Sequence, residues 1–357
     1  MRLLPHAGPD VCADCSGYAR KVEHSCAFGV RGSPYDGYVL RAIEICAGAG
    51  GQALGVEQAG FAHDLLVEVD PWACETLRLN RPTWDVVEGD VREFSAVGRS
   101  VDLLAGGVPC PPFSIAGKQL GPDDERDLFP EALRLVRECR PRAVMLENVR
   151  GLLLPKFAGY RERLGQELAS LGYWHAWTLL NASDYGVPQL RPRAILVALR
   201  PEDAHRFQWP DPRPGAAPTV GDVLRDDMAA GNWEGADEWA RRADRIAPTI
   251  VGGSKKHGGP DLGPTRAKRE WAKLGVCGMG IANEPPPSGF TGQPRLTVEM
   301  AARIQGFPPS WRFAGKKTNA YRQVGNAFPP PVARAVAGAI AVALGASMDR
   351  LDQLAAA

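Results

Sequence analysis

Ala42-Ile43-Glu44-Ile45-Cys46-Ala47-Gly48-Ala49-Gly50-Gly51-Gln52-Ala53-Leu54-Gly55-Val56-Glu57-Gln58-Ala59 is the stretch whose reading decides the fold. A short apolar run over 42–46 reads as a buried strand. It enters a glycine turn, and a helical pattern follows over 52–59. Glycines at such a turn let backbone amides approach a ligand at the helix N-terminus. A tight strand-to-helix turn holding no ligand accounts for the same glycines equally well. No Lys-Ser/Thr pair follows them, which argues against a nucleoside triphosphate.

Working outward, further short apolar runs recur at 65–69, 86–87, 101–105 and 143–146, with helical patterns between them. The pattern over 130–139 opens on Pro130 and is followed by Pro141, a start and a stop in one segment. Strands alternating with helices predict an α/β, doubly wound sheet. Two later runs, 176–180 and 194–199, flank a Tyr185-Gly186-Val187-Pro188 turn and read as a hairpin closing that sheet. Two acids fall at predicted strand ends. Glu68 stands where doubly wound folds place a carboxylate for ribose hydroxyls, and Asp90 stands where an adenine amino group would find an acceptor. Together with the glycine turn they point to an adenosine ligand along the sheet edge.

The composition belongs to a globular chain of about two domains: 357 residues, 45% hydrophobic, 23% charged and a net charge of +1. Global charge therefore names no partner. No apolar run approaches the ~20 residues of a membrane span, and the first nine residues lack the apolar core of a signal peptide. A cytoplasmic location is expected, where thiol chemistry or metal binding is the commoner use of the eight cysteines.

One cysteine has an uncommon setting. Asp102-Leu103-Leu104-Ala105-Gly106-Gly107-Val108-Pro109-Cys110-Pro111-Pro112 ends another strand, and prolines on both sides of Cys110 make a stiff loop at its tip. Glu147, with Asn148 beside it, ends the next strand, so a thiol and a carboxyl share one rim. Glu44 to Gly51, Pro109-Cys110, Glu147-Asn148-Val149, Gln189-Leu190-Arg191-Pro192-Arg193 and Gln323-Val324-Gly325-Asn326 occur in that order. Together they resemble the DNA cytosine-5 methyltransferases of bacteria, over about 43–346 apart from the 201–294 segment.

The resemblance implies an S-adenosylmethionine-dependent, Rossmann-like methyltransferase fold with a smaller target-recognition domain. It implies Cys110 as the nucleophile that adds to C6 of cytosine, Glu147 as a protonated carboxyl at N3, Arg193 at O2 and against Glu147, and Arg191 close by. Covalent addition is chemically required, because C5 of cytosine is a poor nucleophile until C6 carries a thiolate. The base must flip out of the duplex to be reached. The family's binding positions for S-adenosylmethionine fall on Cys46, Ala49, Gly51, Glu68, Val69, Asp90, Val91, Gly107, Pro109, Leu128, Asn326 and Ala327. Three residues depart from the pattern. Glu44 stands where Asp is common, Cys46 where an aromatic usually packs on adenine, and Pro111 where Gln normally follows Pro-Cys.

The implied organisation is an arm over 1–38, a catalytic domain over 39–200, a recognition domain over 201–294, and a segment over 295–357 returning to the catalytic domain. The 201–294 texture is rich in Pro, Gly and charge, and reads as loop-heavy. Between Arg241 and Lys273 nine basic residues stand against three acidic ones. Thr249 and the glycines after it resemble a recognition signature. Thr249, Lys255, Lys256 and, on the loop after Cys110, Ser114 and Lys118 are the expected contacts to double-stranded DNA; solvated polar residues are the plainer reading of the same side chains. In the arm, Cys12, Cys15, His24 and Cys26 have zinc-type chemistry within fifteen residues, with unligated thiols the favoured reading. The expected enzyme is a monomer, an orphan or the partner of a restriction endonuclease. Two rivals stay open: an RNA cytosine methyltransferase, whose tRNA-modifying members carry a Cys-Phe-Thr tripeptide absent here, and an idle DNA-binding scaffold.

Overall fold

The computed structural model describes residues 39–109, 127–213, 215–252 and 260–347. Cys12, Cys15, His24, Cys26, Cys110, Ser114, Lys118, Lys255 and Lys256 lie outside the described residues.

Among the described residues, seven strands form one sheet: β1 (Leu40–Ile45), β2 (Phe61–Glu68), β3 (Val86–Glu88), β4 (Leu103–Gly106), β5 (Ala143–Val149), β6 (Trp174–Asn181) and β7 (Pro192–Leu199). Their spatial order is β3-β2-β1-β4-β5-β7-β6. The first five run parallel, β7 pairs antiparallel with β5, and β6 and β7 form the expected antiparallel pair. The order reverses between β1 and β4, and the carboxyl ends flanking such a switch point form a ligand crevice.

Two strands stop one residue earlier than expected, for a steric reason at the first. Cys46 has φ +51, in the left-handed region, and so opens the turn instead of ending β1. Val69 likewise lies beyond β2.

Helices α1 (Gly51–Gln58), α2 (Pro71–Asn80), α3 (Phe129–Cys139) and α4 (Ala158–Ser170) alternate with the strands. Side-chain alternation in the strands feeds two cores. Ile43, Ile45, Leu104, Val144 and Leu146 pack with Phe129, Leu133 and Val136 of α3 and Leu164 and Leu168 of α4. Ala42, Leu103, Ala105, Ala143 and Met145 point the other way.

The 201–294 segment is more ordered than its composition suggests. It contains α5 (Pro201–Ala204), α6 (Val220–Ala229), α7 (Ala236–Arg242) and α8 (Thr265–Lys273). Thr219 and Asp222 form a capping box at the start of α6, with bonds of 3.1 and 2.8 Å. Trp239 of α7 and Trp271 of α8 are fully buried. They anchor a further core shared with α9 (Val298–Ile304) and α10 (Lys317–Asn326).

The last helix, α11 (Pro330–Ala343), lies on the sheet through Val332, Val336 and Ile340. It packs closely on α1, where a Cβ on Gly55 would stand 2.5 Å from the Ala333 Cβ. That contact brings the segment joining α10 to α11 against the glycine turn.

Candidate active site

The carboxyl ends of β1 to β5 open on a cavity of about 430 Å³. All twelve residues expected to contact the cofactor line it: Cys46, Ala49 and Gly51, Glu68 and Val69, Asp90 and Val91, Gly107 and Pro109, Leu128, and Asn326 with Ala327. Glu44, Gln52, Glu147 and Arg322 share the lining.

The glycine turn is held from several sides. Glu68 accepts from the backbone N–H of Gly48 at 2.7 Å through one oxygen. Its other oxygen accepts from Val69 and Asp70 at 2.9 and 2.8 Å. Burial raises its pKa, and these amides oppose the shift. Trp311 donates its indole N–H to the Ala49 carbonyl at 3.1 Å. Gly51 is required by close approach, since a Cβ there would sit 2.3 Å from the Phe328 carbonyl oxygen. Asp90 accepts from the Arg92 backbone at 2.9 Å and pairs with its guanidinium at 2.8 Å, which holds the carboxyl below its usual range. Burial, followed by the Glu68 and Asp90 charges, pushes the Cys46 thiol far up, so it is present as a neutral thiol.

Glu147 and Arg193 meet because of strand register. In the β5–β7 ladder Glu147 faces Ile195 and Val149 faces Arg193, so the two charged side chains are diagonal neighbours on one face. Their ion pair measures 2.6 Å, and Glu147 is only 9% exposed. Burial raises the Glu147 carboxyl above its ordinary pKa, with Arg193 and then Arg191 opposing. Burial lowers Arg193 in turn. Asn148 donates to the Val108 carbonyl at 3.1 Å, tying the end of β5 to the segment that leads through Pro109. A Cβ on Gly107 would lie 3.5 Å from Glu147 Oε2, so this segment passes close to the carboxyl.

Arg191 does not line the cavity. It is 1% exposed and donates to the carbonyls of Ile250 at 2.6 Å, Gly325 at 2.7 Å and Ala327 at 3.0 Å. One guanidinium therefore joins the start of β7, the segment after α7 and the cofactor-side wall. Gln189 accepts from the Ile250 N–H at 2.8 Å and donates to Gln305 Oε1 at 2.6 Å; Gln305 donates to the Ala327 carbonyl at 2.6 Å. Thr249 donates its hydroxyl to the Leu190 carbonyl at 2.5 Å. Sequence reasoning does not single out Gln52 and Arg322, which line the cavity, or Gln305, and it does not foresee the bond from Asn148 to Val108. The one available signal was a polar residue, Gln52, within the otherwise small and apolar start of α1.

A model of the family described as C-5 cytosine-specific DNA methylase matches residues 40–342. The chain belongs to that family. As such a methylase it transfers methyl groups from S-adenosylmethionine to C5 of cytosine in DNA. It is 59% identical over 321 residues to the Type II methyltransferase M.NaeI of Lentzea aerocolonigenes, covering 88% of this chain and 78% of that protein. It is 57% identical to the Type II methyltransferase M.NgoMIV of Neisseria gonorrhoeae, covering 85% and 97%. Among solved structures, the S. pombe Dnmt2 methyltransferase superposes with a TM-score of 0.58 at 19% identity, over 86% of this chain and 100% of that one. At that identity the likeness speaks for the methyltransferase fold alone.

The cavity fits the methylase's cofactor on structural grounds. Asp90 and Glu68 supply acceptors at two neighbouring strand ends, Gly51 begins the helix after the turn, and buried polar groups of the cavity-lining Glu44 and Gln52 have no partners among the described residues. Among the described residues, no helix of the methylase is long and apolar enough to cross a membrane, and no His/Cys/Asp/Glu group is arranged for a metal ion.

Proposed function

We propose that the methylase acts on a cytosine flipped out of a specific site in double-stranded DNA, through a covalent bond between Cys110 and C6. The observation that carries this reading is Glu147 on the cavity wall, paired from behind the lining with Arg193 and close to the segment that continues from Pro109 into Cys110.

Bound in the cavity, S-adenosylmethionine supplies a methyl group activated on a sulfonium. The chain's own residues prepare the acceptor. Cys110, as a thiolate, adds to C6. Glu147 in its protonated form donates to N3, so the electron pair arriving in the ring makes C5 nucleophilic. The raised Glu147 pKa supports that donor role. Arg193 orients the Glu147 carboxyl and takes the base's O2. After C5 is methylated, a base removes the C5 proton, the C5–C6 double bond re-forms, and the thiolate leaves. Arg191 acts at one remove, holding the cofactor-side wall. Glu68 and Asp90 take the ribose hydroxyls and the adenine amino group.

The same reading gives 201–294 the target recognition, with Thr249, Lys255, Lys256, Ser114 and Lys118 as DNA contacts. It makes the methylase a cytoplasmic monomer acting beside a cognate restriction endonuclease or as an orphan.

A duplex carrying 5-fluorocytosine at the target cannot lose its C5 substituent. With S-adenosylmethionine, the wild type is expected to form a denaturant-resistant adduct, and Cys110→Ala is expected to bind the duplex without forming one. An adduct in the variant overturns the assignment. Glu147→Gln is expected to lower the single-turnover rate by about 10²-fold or more, the scale of a lost general acid.

A further inference from the structure

An exposed helix face is steadied when opposite charges three or four residues apart pair with one another. Helix α8 leaves part of its charge outside such pairs. Its inner side is fixed by Trp271, which is fully buried, and by Lys268, which turns aside to pair with Asp261 at 2.6 Å. Arg266, Arg269, Glu270 and Lys273 lie on the opposite side, since three-, four- and seven-residue spacings share one helix face. Arg266, Arg269 and Lys273 are all exposed. Glu270 is taken by Lys273 at 2.8 Å, which leaves Arg266 and Arg269 with no ion pair or side-chain hydrogen bond among the described residues.

A second segment adds to the same patch. Lys273, and after it Arg266 and Arg245, hold the Glu270 carboxyl below its ordinary range, which places Arg245 within electrostatic reach of α8. The Arg245 guanidinium pairs with Asp244 at 3.5 Å between two exposed side chains, a contact that neutralises little. The patch has a fixed place in the fold. A Cβ on Gly263, just before α8, would stand 3.1 Å from Val251 Cγ2, and one on Gly252 would stand 2.4 Å from Oδ1 of Asn326 on the cavity wall. Ile250, before them, is held by Gln189 and Arg191. The start of α8 is thus two contacts from the cavity. From Arg266 to Lys273 the basic face runs about 10 Å along the helix axis, a length over which one DNA strand presents about three phosphates.

We infer that the outer face of α8 holds the phosphate backbone of the DNA duplex through Arg266 and Arg269, as a sequence-independent anchor beside the recognition segment. The inference rests on the reading of 201–294 as the target-recognition domain and deepens it. The occupant follows from charge. A duplex is a polyanion with regularly spaced charges, and two guanidiniums without internal partners give up no ion pair on meeting it. Phosphate contacts fix orientation and register without reading sequence. Because the start of α8 is tied to the wall carrying Asn326, an anchor there sets the duplex relative to the reacting centre.

Fluorescence anisotropy with the full-length chain tests this on two labelled duplexes of equal length, one carrying the methylated site and one lacking it, across a range of salt. The double variant Arg266→Gln, Arg269→Gln is expected to reduce the slope of log K against log salt by about 1.8, the loss of two phosphate contacts at about 0.9 each. It should weaken both duplexes alike, to within about twofold of one another. The double variant Arg266→Lys, Arg269→Lys is expected to keep the slope, because the charge is kept. Both should melt within about 2 °C of wild type, since neither guanidinium has a partner in the fold. A slope unchanged by the glutamine variant overturns the anchor and leaves the face to solvent or to an acidic protein. So does a loss confined to the site-bearing duplex, which marks a base-edge contact. The two readings fail separately. An active graft of 246–291 that keeps the original specificity sinks the recognition domain, whereas an unchanged slope beside a graft that moves the methylated sequence overturns the anchor alone.

Discussion

Replacing Arg191 by Met removes a charge while keeping most of its volume, and it isolates what one buried guanidinium does. Arg191 meets three carbonyls, those of Ile250, Gly325 and Ala327, at 2.6 to 3.0 Å. Each bond to a charged donor contributes about 1.5–3 kcal/mol. Leaving the guanidinium out also avoids a desolvation cost of several kcal/mol, so the gross loss is not the net loss. The net expectation is a destabilisation of about 3–5 kcal/mol, the gross loss of three charged bonds less part of that desolvation cost. For a chain of this size it corresponds to a melting temperature about 4–7 °C lower. Two of the three carbonyls belong to the wall that carries Asn326 and Ala327, so cofactor affinity should fall with stability. Arg191→Lys should recover less than half of the loss, because one ammonium cannot span acceptors that a planar fork reaches together. The assay is calorimetric melting of the free protein, with the S-adenosylmethionine dissociation constant measured well below the midpoint. An Arg191→Met variant melting within about 2 °C of wild type and binding normally would refute the reasoning.

Gly51→Ala places a methyl 2.3 Å from the Phe328 carbonyl oxygen, so either the turn or the segment after α10 must move; the expected outcome in calorimetry is cofactor binding weakened by about tenfold or more. Glu44→Gln tests burial through pH. Because the folded-state pKa of Glu44 is raised, its stability contribution is complete below the unfolded value and is lost as pH rises through the folded one. The melting-temperature gain of the variant over wild type should therefore grow from pH 4 to pH 8, and a gain that is flat or shrinks contradicts the buried carboxyl. Grafting 246–291 from a methylase of different specificity should move the methylated sequence, as read by genome-wide methylation mapping; an active graft with the original specificity puts recognition elsewhere.

The parallel half of the sheet was legible because β1, β4 and β5 and the second half of β2 are short, largely buried apolar runs. Covalent order carries that information. The carboxyl end of a parallel strand is the ligand edge wherever the strand lies, so Glu68, Asp90 and Glu147 were placed at the rim by chain direction alone. The Glu147–Arg193 contact needed more. It depends on which residue of β7 lies opposite Val149, and register is set by the pairing of strands distant in sequence.

The helices of the 201–294 segment were hidden for a related reason. Their apolar residues are few, and Trp239 and Trp271 become core only when α6 to α10 assemble around them. Local composition cannot distinguish a tryptophan with partners from one without. Arg191 shows the same limit from the polar side. Its motif marked it as a site residue, while its burial and its three carbonyl acceptors arise from segments about 60 and 135 residues further along the chain. Sequence alone determined which residue types stand at the strand ends and therefore the class of chemistry. Tertiary structure decided which of them face the cavity and which brace its wall, because burial and hydrogen-bond satisfaction belong to the assembled fold and not to any one segment.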